Sequence, residues 1–228
     1  LTEHLNNKGF NITGLDIGYY KDNFLDKNFK SQKIKQINKD IRDIEITELK
    51  KFDTIIHLAA LSNDPLGEFK KTITKEINFE ASVNLVKKSI EADVSRFVFV
   101  SSQSMYGISQ SNEAVNENHK KNPITEYAKS KLEAEKIILN LKSKMVVTAI
   151  RPSTIFGYSP RLRCDIVFNN LLGNAYCTNN LDILSDGSPW RPILHVMDMS
   201  ECIENIINTK SELINGEAFN LGMLNGNY

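Results

Sequence analysis

Tyr127 and Lys131 stand four residues apart in the run Tyr127-Ala128-Lys129-Ser130-Lys131. In a helix that spacing puts a phenol and an amine on one face. An ammonium beside a phenol favours the phenolate and lowers its pKa, which makes Tyr127 a candidate proton-transfer group near neutral pH. The pattern alone is weak, because a chain with this Tyr and Lys content gives about 0.7 such matches by chance. Its weight comes from position. About 20 residues upstream, a strand-like stretch ends in Ser101-Ser102-Gln103-Ser104-Met105-Tyr106-Gly107, where a serine hydroxyl can hold a substrate oxygen beside the phenol. The plainer alternative is a capping serine run and an ordinary surface Tyr/Lys pair.

The elements that must position these groups are legible in outline. Apolar runs at Phe10–Leu15, Lys35–Asn38, Thr54–Leu58, Phe97–Ser101 and Val146–Ile150 read as strands. Between them, Ile73–Ala92 and Ile124–Leu141 read as helices. Strands alternating with helices imply a parallel sheet covered on both faces, and right-handed crossovers make a doubly wound α/β fold the default. Beyond Pro152 the pattern loosens into loops, with a helix near Ile166–Tyr176, a strand at Leu181–Leu184, a helix near Met197–Asn208 and a strand at Ala218–Leu221.

In such a sheet, ligands bind beyond the carboxyl ends of the strands. Asp16 ends the first run and suits the two hydroxyls of an adenosine ribose, although a turn residue would look the same. Its carboxylate would repel a 2′-phosphate, which favours NAD over NADP. Asp40 and Ile41 follow the second run and are placed to flank an adenine ring. Leu58, Ala59 and Ala60 follow the third, where small side chains let a cofactor approach the backbone. His57 reads as a packed core histidine.

Composition limits the alternatives. The chain has 228 residues, 28 Lys+Arg against 28 Asp+Glu, 41% hydrophobic and 25% charged residues. Zero net charge removes the usual electrostatic reason to bind nucleic acid or an anionic membrane. No apolar run approaches the ~20 residues of a bilayer span. Cys164, Cys177 and Cys202 are odd in number and far apart, which fits a reduced, cytoplasmic compartment. The scattered His and Cys residues offer no zinc spacing, so no metal is expected. The opening Leu1–Leu5 reads as an uncapped helix stopped at Lys8-Gly9, which suggests a fragment of a longer protein. The glycine-rich phosphate turn expected ~20 residues before Asp16 would then precede Leu1, and NAD binding is expected to be weak without it.

Together these stretches resemble the extended short-chain dehydrogenase/reductase superfamily, in its NAD-dependent nucleotide-sugar epimerase/dehydratase branch. The matching segments are Gly14–Asp16, Lys39–Asp43, Ile55–Ala60, Asn78, Arg96–Gly107, Tyr127–Lys131, Arg151–Gly157 and Arg191–Asp198. The resemblance implies a Rossmann-like NAD domain over residues 1–152, without its first strand and glycine loop. It implies a substrate-binding lobe over 153–228 with interleaved return strands. Tyr127 would be the base, Lys131 would hold the nicotinamide ribose, and Ser102 would bind the sugar hydroxyl being oxidised. Asp16, Asp40, Ile41, Leu58, Ala59, Ala60, Ser62, Asn78 and Ser153 would line the NAD site. Thr154, Asn170, Leu171 and Arg191 would meet the nucleotide-sugar substrate. Arg161 and Arg163 either add charge near that groove or are solvated loop residues. Trp190 reads as an anchor of the lobe.

One departure narrows the chemistry. Dehydratases of this group carry Asp-Glu after the catalytic Thr, whereas Gln103-Ser104 follows Ser102 here. The expectation is therefore a nucleotide-sugar 4-epimerase. A C4 dehydrogenase or keto-reductase, or a non-catalytic dinucleotide sensor on the same fold, are the alternatives. Ile73–Ala92 and Ile124–Leu141 are candidates for a homodimer bundle, although their apolar stripes serve a core equally well.

Overall fold

The structure is a computed structural model that describes residues 1–25, 34–62, 64–108, 114–183, 186 and 192–223. Every strand ladder among them is parallel. β1 (Thr13–Asp16) pairs with β2 (Lys35–Asn38), and β3 (Thr54–His57), β4 (Arg96–Val100), β5 (Val146–Pro152) and β8 (Ala218–Leu221) form a four-stranded sheet in that order. β6 (Thr154–Phe156) pairs with β7 (Ile193–His195). The chain returns through β8 to lie beside β5, so a strand from the second stretch completes the sheet of the first.

The central strand shows why both faces are covered. Along β4 the side chains alternate. Phe97 and Phe99 enter one core with Leu85 and Val86 of α5 (Ala81–Glu91) and Ala134 and Ile138 of α6 (Glu126–Leu139). Val98 and Val100 enter another with Met199 and Ile203 of α8 (Val196–Asn208). The continuous apolar run Phe97–Val100 is thus the mark of a strand buried on both sides. The inner stripes of α5 and α6 are used on this core, while Ile137 of α6 is partly exposed.

Several boundaries differ from expectation. The helix expected over Ile73–Ala92 begins as α4 (Lys71–Lys75), opens into a π-turn at Glu76–Glu80 and resumes as α5. A π-turn adds a residue to the local winding and turns one side chain away from the helical register. Here it carries Asn78, which is fully buried. The strand expected at Leu181–Leu184 is not formed by the described residues 181–183, and Leu184 lies outside them. The polar Thr178–Asn180 end of α7 (Val167–Thr178), closed by Asn179 in the left-handed region, leads instead into exposed irregular chain. The short elements β6, β7, α2 (Ile46–Leu49) and α3 (Asp64–Phe69) had no sequence periodicity long enough to reveal them. α1 (Thr2–Asn7) ends as expected, with Gly9 at φ +87°.

No helix among the described residues is long and apolar enough to cross a membrane. No cluster of three or more His, Cys, Asp or Glu among them suits a metal ion.

Candidate active site

The helix α6, which bears Tyr127 and Lys131, is fixed at its start by two side chains. Thr125 caps it, its Oγ1 accepting from the Ala128 N–H at 3.2 Å. Glu68 of α3 accepts from the Glu126 N–H at 2.6 Å. Two amide donors that a helix N-terminus leaves open are thereby satisfied. Tyr127 follows in the first turn, half-buried, with Gly67 of α3 close against it: a Cβ at Gly67 would stand 4.0 Å from that of Tyr127.

One turn on, Lys131 is only 2% exposed. Its Nζ donates to the carbonyl of Val100, the last residue of β4, at 2.8 Å and lies 4.8 Å from the centre of the Phe99 ring. Burial disfavours the ammonium and brings its pKa down to about 7. The chain then passes directly from Val100 to Ser101 and Ser102. Ser102 caps the 3₁₀ turn Gln103–Tyr106, its Oγ accepting from Ser104 N at 3.2 Å and from Ser104 Oγ at 2.9 Å. With those two bonds received, its own proton is left to be donated outward. The Gln103 amide is tied to the Leu221 carbonyl at 3.0 Å.

Asp16 is exposed at the end of β1, with Oδ1 accepting from Gly18 N at 2.6 Å. Asp40 acts locally: its carboxylate caps the turn Ile41–Asp43 and grips the Arg42 guanidinium, which reaches on to Glu76. The bond from Arg42 holds the Asp40 carboxyl below its usual range. The capping role accounts for Asp40 without a ligand. Beyond β3, Leu58 is exposed and Ala59 and Ala60 are half-buried. Asn78 stands behind this loop rather than lining it: its Oδ1 accepts from Leu61 N at 2.8 Å and its Nδ2 donates to Leu61 O at 3.0 Å. His57 is buried, and burial, with the Lys131 charge adding, drops its pKa to about 3. Ser82 Oγ donates to Asn78 O and lies 2.8 Å from His57 Nε2, so that ring nitrogen carries the proton. It is a neutral core histidine.

Ser153 is buried after β5, its N–H donating to Leu221 O at 2.8 Å. Thr154 N donates to Pro192 O at 3.1 Å. Asn170 is exposed and braces a loop: its Nδ2 donates to Cys164 O at 3.0 Å and its Oδ1 accepts from Asn174 at 3.2 Å. Its neighbour Asn169, which the sequence did not single out, holds Gly157 N and Arg163 O at 3.2 and 3.0 Å. Leu171 is half-buried on the same helix. Phe156, Phe168, Ile193 and Met223 line an apolar cavity of 340 Å³ on this side. Arg161 stacks on Tyr20 with its guanidinium carbon 3.4 Å from the ring centre. Arg191 and Trp190 lie outside the described residues.

A buried polar network that the sequence hid supports the site from below. Arg151 of β5 forks onto Glu135 of α6 at 2.5 and 3.0 Å and donates to Tyr106 Oη at 2.8 Å. Tyr106 in turn donates to Asn220 of β8 at 2.8 Å. The sheet, α6 and the serine turn are thereby locked together. Arg151 and Tyr106 fell within motifs singled out in the sequence, whereas Glu135 and Asn220 did not.

Two features fit these strand ends to a dinucleotide. Ser101 Oγ and Ser153 Oγ are buried without a partner among the described residues, at the ends of adjacent strands. Buried hydroxyls are seldom left so, and a bound polar group satisfies them. Asp16 stands at the end of β1, and the Lys131 Nζ reaches the end of β4 from α6, which are strand ends where a dinucleotide binds in such a sheet.

Comparison with known proteins agrees. Residues 1–222 match the model of the NAD dependent epimerase/dehydratase family. Among curated relatives, the uncharacterized UDP-glucose epimerase YtcB of Bacillus subtilis is 28% identical over 96% of this chain and 71% of its own length. The dTDP-D-glucose 4,6-dehydratase of Dictyostelium discoideum is 28% identical over 96% of this chain, which spans 49% of that relative. Among solved structures, the UDP-glucuronic acid 4-epimerase of Bacillus cereus, in complex with UDP-glucuronic acid and NAD, superposes with a TM-score of 0.80 at 22% identity, over 96% of this chain and 72% of its own. The chain belongs to the NAD dependent epimerase/dehydratase family.

Proposed function

We propose that this protein interconverts nucleotide sugars as a 4-epimerase, with Tyr127 moving the proton of the sugar 4-hydroxyl. Bound NAD supplies the hydride acceptor and donor at C4. Tyr127, as phenolate, takes the hydroxyl proton and later returns one to the same oxygen. Ser102 donates a hydrogen bond to that oxygen. Lys131 lies one turn from the phenol and, with its pKa near 7, is divided between charged and neutral forms at neutral pH. Asp16 and the Leu58–Ser62 loop would hold the adenosine and pyrophosphate side, and Thr154 would face the sugar.

The single observation that carries this reading is the bond from Lys131 Nζ to Val100 O. It joins the helix of the phenol to the strand that leads into Ser102, which supports a reading in which both act at one sugar oxygen. Dehydration is disfavoured because Gln103 carries no acid or base and its amide is bound to Leu221 O.

The test is incubation with UDP-glucose, UDP-N-acetylglucosamine and UDP-glucuronic acid, with products separated by anion exchange. An epimerase converts one of them to its 4-epimer with no net change in absorbance at the NADH maximum. A stoichiometric absorbance rise would identify a C4 dehydrogenase instead, and no conversion of any nucleotide sugar would reject the reading.

A further inference from the structure

The loop 157–165, between β6 and α7, reaches back to two strand ends of the first stretch. Pro160 O accepts from Leu25 N at 2.9 Å. The Arg161 guanidinium carbon stands 3.4 Å from the centre of the Tyr20 ring. Arg163 Nη1 donates to Ser62 Oγ at 3.2 Å and to Ser62 O at 3.4 Å. Tyr20 and Leu25 follow Asp16 at the end of β1, and Ser62 follows His57 at the end of β3. Leu15 of β1 and Ile55 of β3 pack on one core, so both strand ends belong to one layer. From Arg161 to Arg163 the chain extends at most about 7 Å. The loop therefore crosses from one strand end to the other, where a sheet of this kind takes its dinucleotide.

The two ends of this crossing are held differently. At its base, Gly157 sits at φ +107°, and a Cβ there would stand 2.6 Å from His195 Nε2. Asn169 of α7 receives Gly157 N at 3.2 Å and donates to Arg163 O at 3.0 Å, and Asn170 donates to Cys164 O at 3.0 Å. At its tip the contacts are a stacked ring, one backbone bond and one serine, and Tyr20, Leu25 and Ser62 are all exposed. Contacts of this kind are weak singly, so the tip can release while the base stays fixed. An enzyme that takes a hydride from a sugar and returns it must keep its reduced cofactor between the two transfers. A covered crevice does that. We propose that residues 157–165 are a strap latched across the dinucleotide crevice at Tyr20 and Ser62, and that opening of this latch sets the rate at which NAD enters and leaves. Arg161 is then a positioning residue, which acts on cofactor exchange through Tyr20. The inference rests on the crevice holding NAD, and not on which sugar reaction is run there.

The experiment follows NADH fluorescence by stopped flow, without sugar, to give association and release rates. In Tyr20→Ala and in Arg161→Gln both rates are expected to rise together by about three- to tenfold, with the affinity within about twofold of wild type. Tyr20→Phe keeps the ring and is expected to stay within about twofold of wild type in both rates. Trypsin reads the strap directly, because it cuts after Arg161 and Arg163. Without cofactor, Tyr20→Ala is expected to be cut there about three- to tenfold faster than wild type, with cuts elsewhere unchanged. NAD is expected to slow those two cuts in the wild type. Release that rises while association stays unchanged would overturn the proposal, because Tyr20 and Arg161 would then only touch the cofactor. So would unchanged exchange rates in Tyr20→Ala, strap cuts no faster than in wild type, or a wild type that takes up no NADH. Because no sugar is present, epimerisation can fail while this result stands, and the reverse.

Discussion

The Nζ of Lys131 and the carbonyl oxygen of Val100 lie 2.8 Å apart, and that bond joins the helix bearing Tyr127 to the strand end bearing Ser102. The amine is buried to the point where its pKa falls to about 7, against 10.5 for an ordinary lysine. The unfolded chain then binds more protons than the folded one between about pH 7 and 10.5, so this group makes stability rise with pH across that window. Lys131→Met removes the effect. Thermal melting should show the wild type gaining on Lys131→Met between pH 7 and 10. Parallel curves would mean that the lysine is not desolvated as the structure indicates.

The Arg151–Glu135 pair is buried on both sides, at 6% and 3% side-chain exposure. Removing Glu135 leaves Arg151 as an uncompensated charge, whereas removing Arg151 also strips Tyr106 of a donor. Glu135→Leu should cost about 3–5 kcal/mol in urea denaturation, and Glu135→Leu with Arg151→Met should recover most of it. A double variant as unstable as the single one would show that the network, rather than the lone charge, sets the loss.

The division between what was legible in the chain and what was not follows from reach. β4 announced itself because four successive buried residues, Phe97 to Val100, face two cores. Tyr127 and Lys131 were legible because helix geometry alone puts them on one face. What escaped depends on residues distant in sequence. Glu68 capping α6 spans 58 positions, Arg163 reaching Ser62 spans 101, and Tyr106 bonding Asn220 spans 114. No local pattern carries those distances. At Asp40, a position read as adenine-facing, the structure adds a role the sequence did not show: it caps its own turn and holds Arg42. Asn78 was singled out as a cofactor residue, and the structure shows it buried and bonded to Leu61 through both amide atoms.

Asn78 therefore offers a clean separation. Asn78→Ala leaves the Leu61 N–H and carbonyl unpaired and should cost about 1–3 kcal/mol. The NAD content of the purified protein should fall with it. Asn78→Asp keeps an acceptor for Leu61 N but loses the donor to Leu61 O, and should lie between. Full NAD retention in Asn78→Ala would detach the loop from the cofactor site.

Asp16 is the residue that sets the cofactor choice in this account. Its exposed carboxylate would repel a 2′-phosphate, so calorimetry should show NAD bound in preference to NADP. Asp16→Ser should reduce that preference by about tenfold. An unchanged ratio would return Asp16 to the role of a turn residue bonded to Gly18 N.

Tyr127→Phe tests the core of the account. The substitution removes one oxygen from a half-buried ring, so the NAD content and melting temperature of the protein should hold. Conversion of a nucleotide sugar to its 4-epimer, followed by anion exchange in protein of known NAD content, should fall by at least about 10³-fold. Retention of activity within about tenfold of wild type would contradict the assignment of Tyr127 as the proton-transfer group.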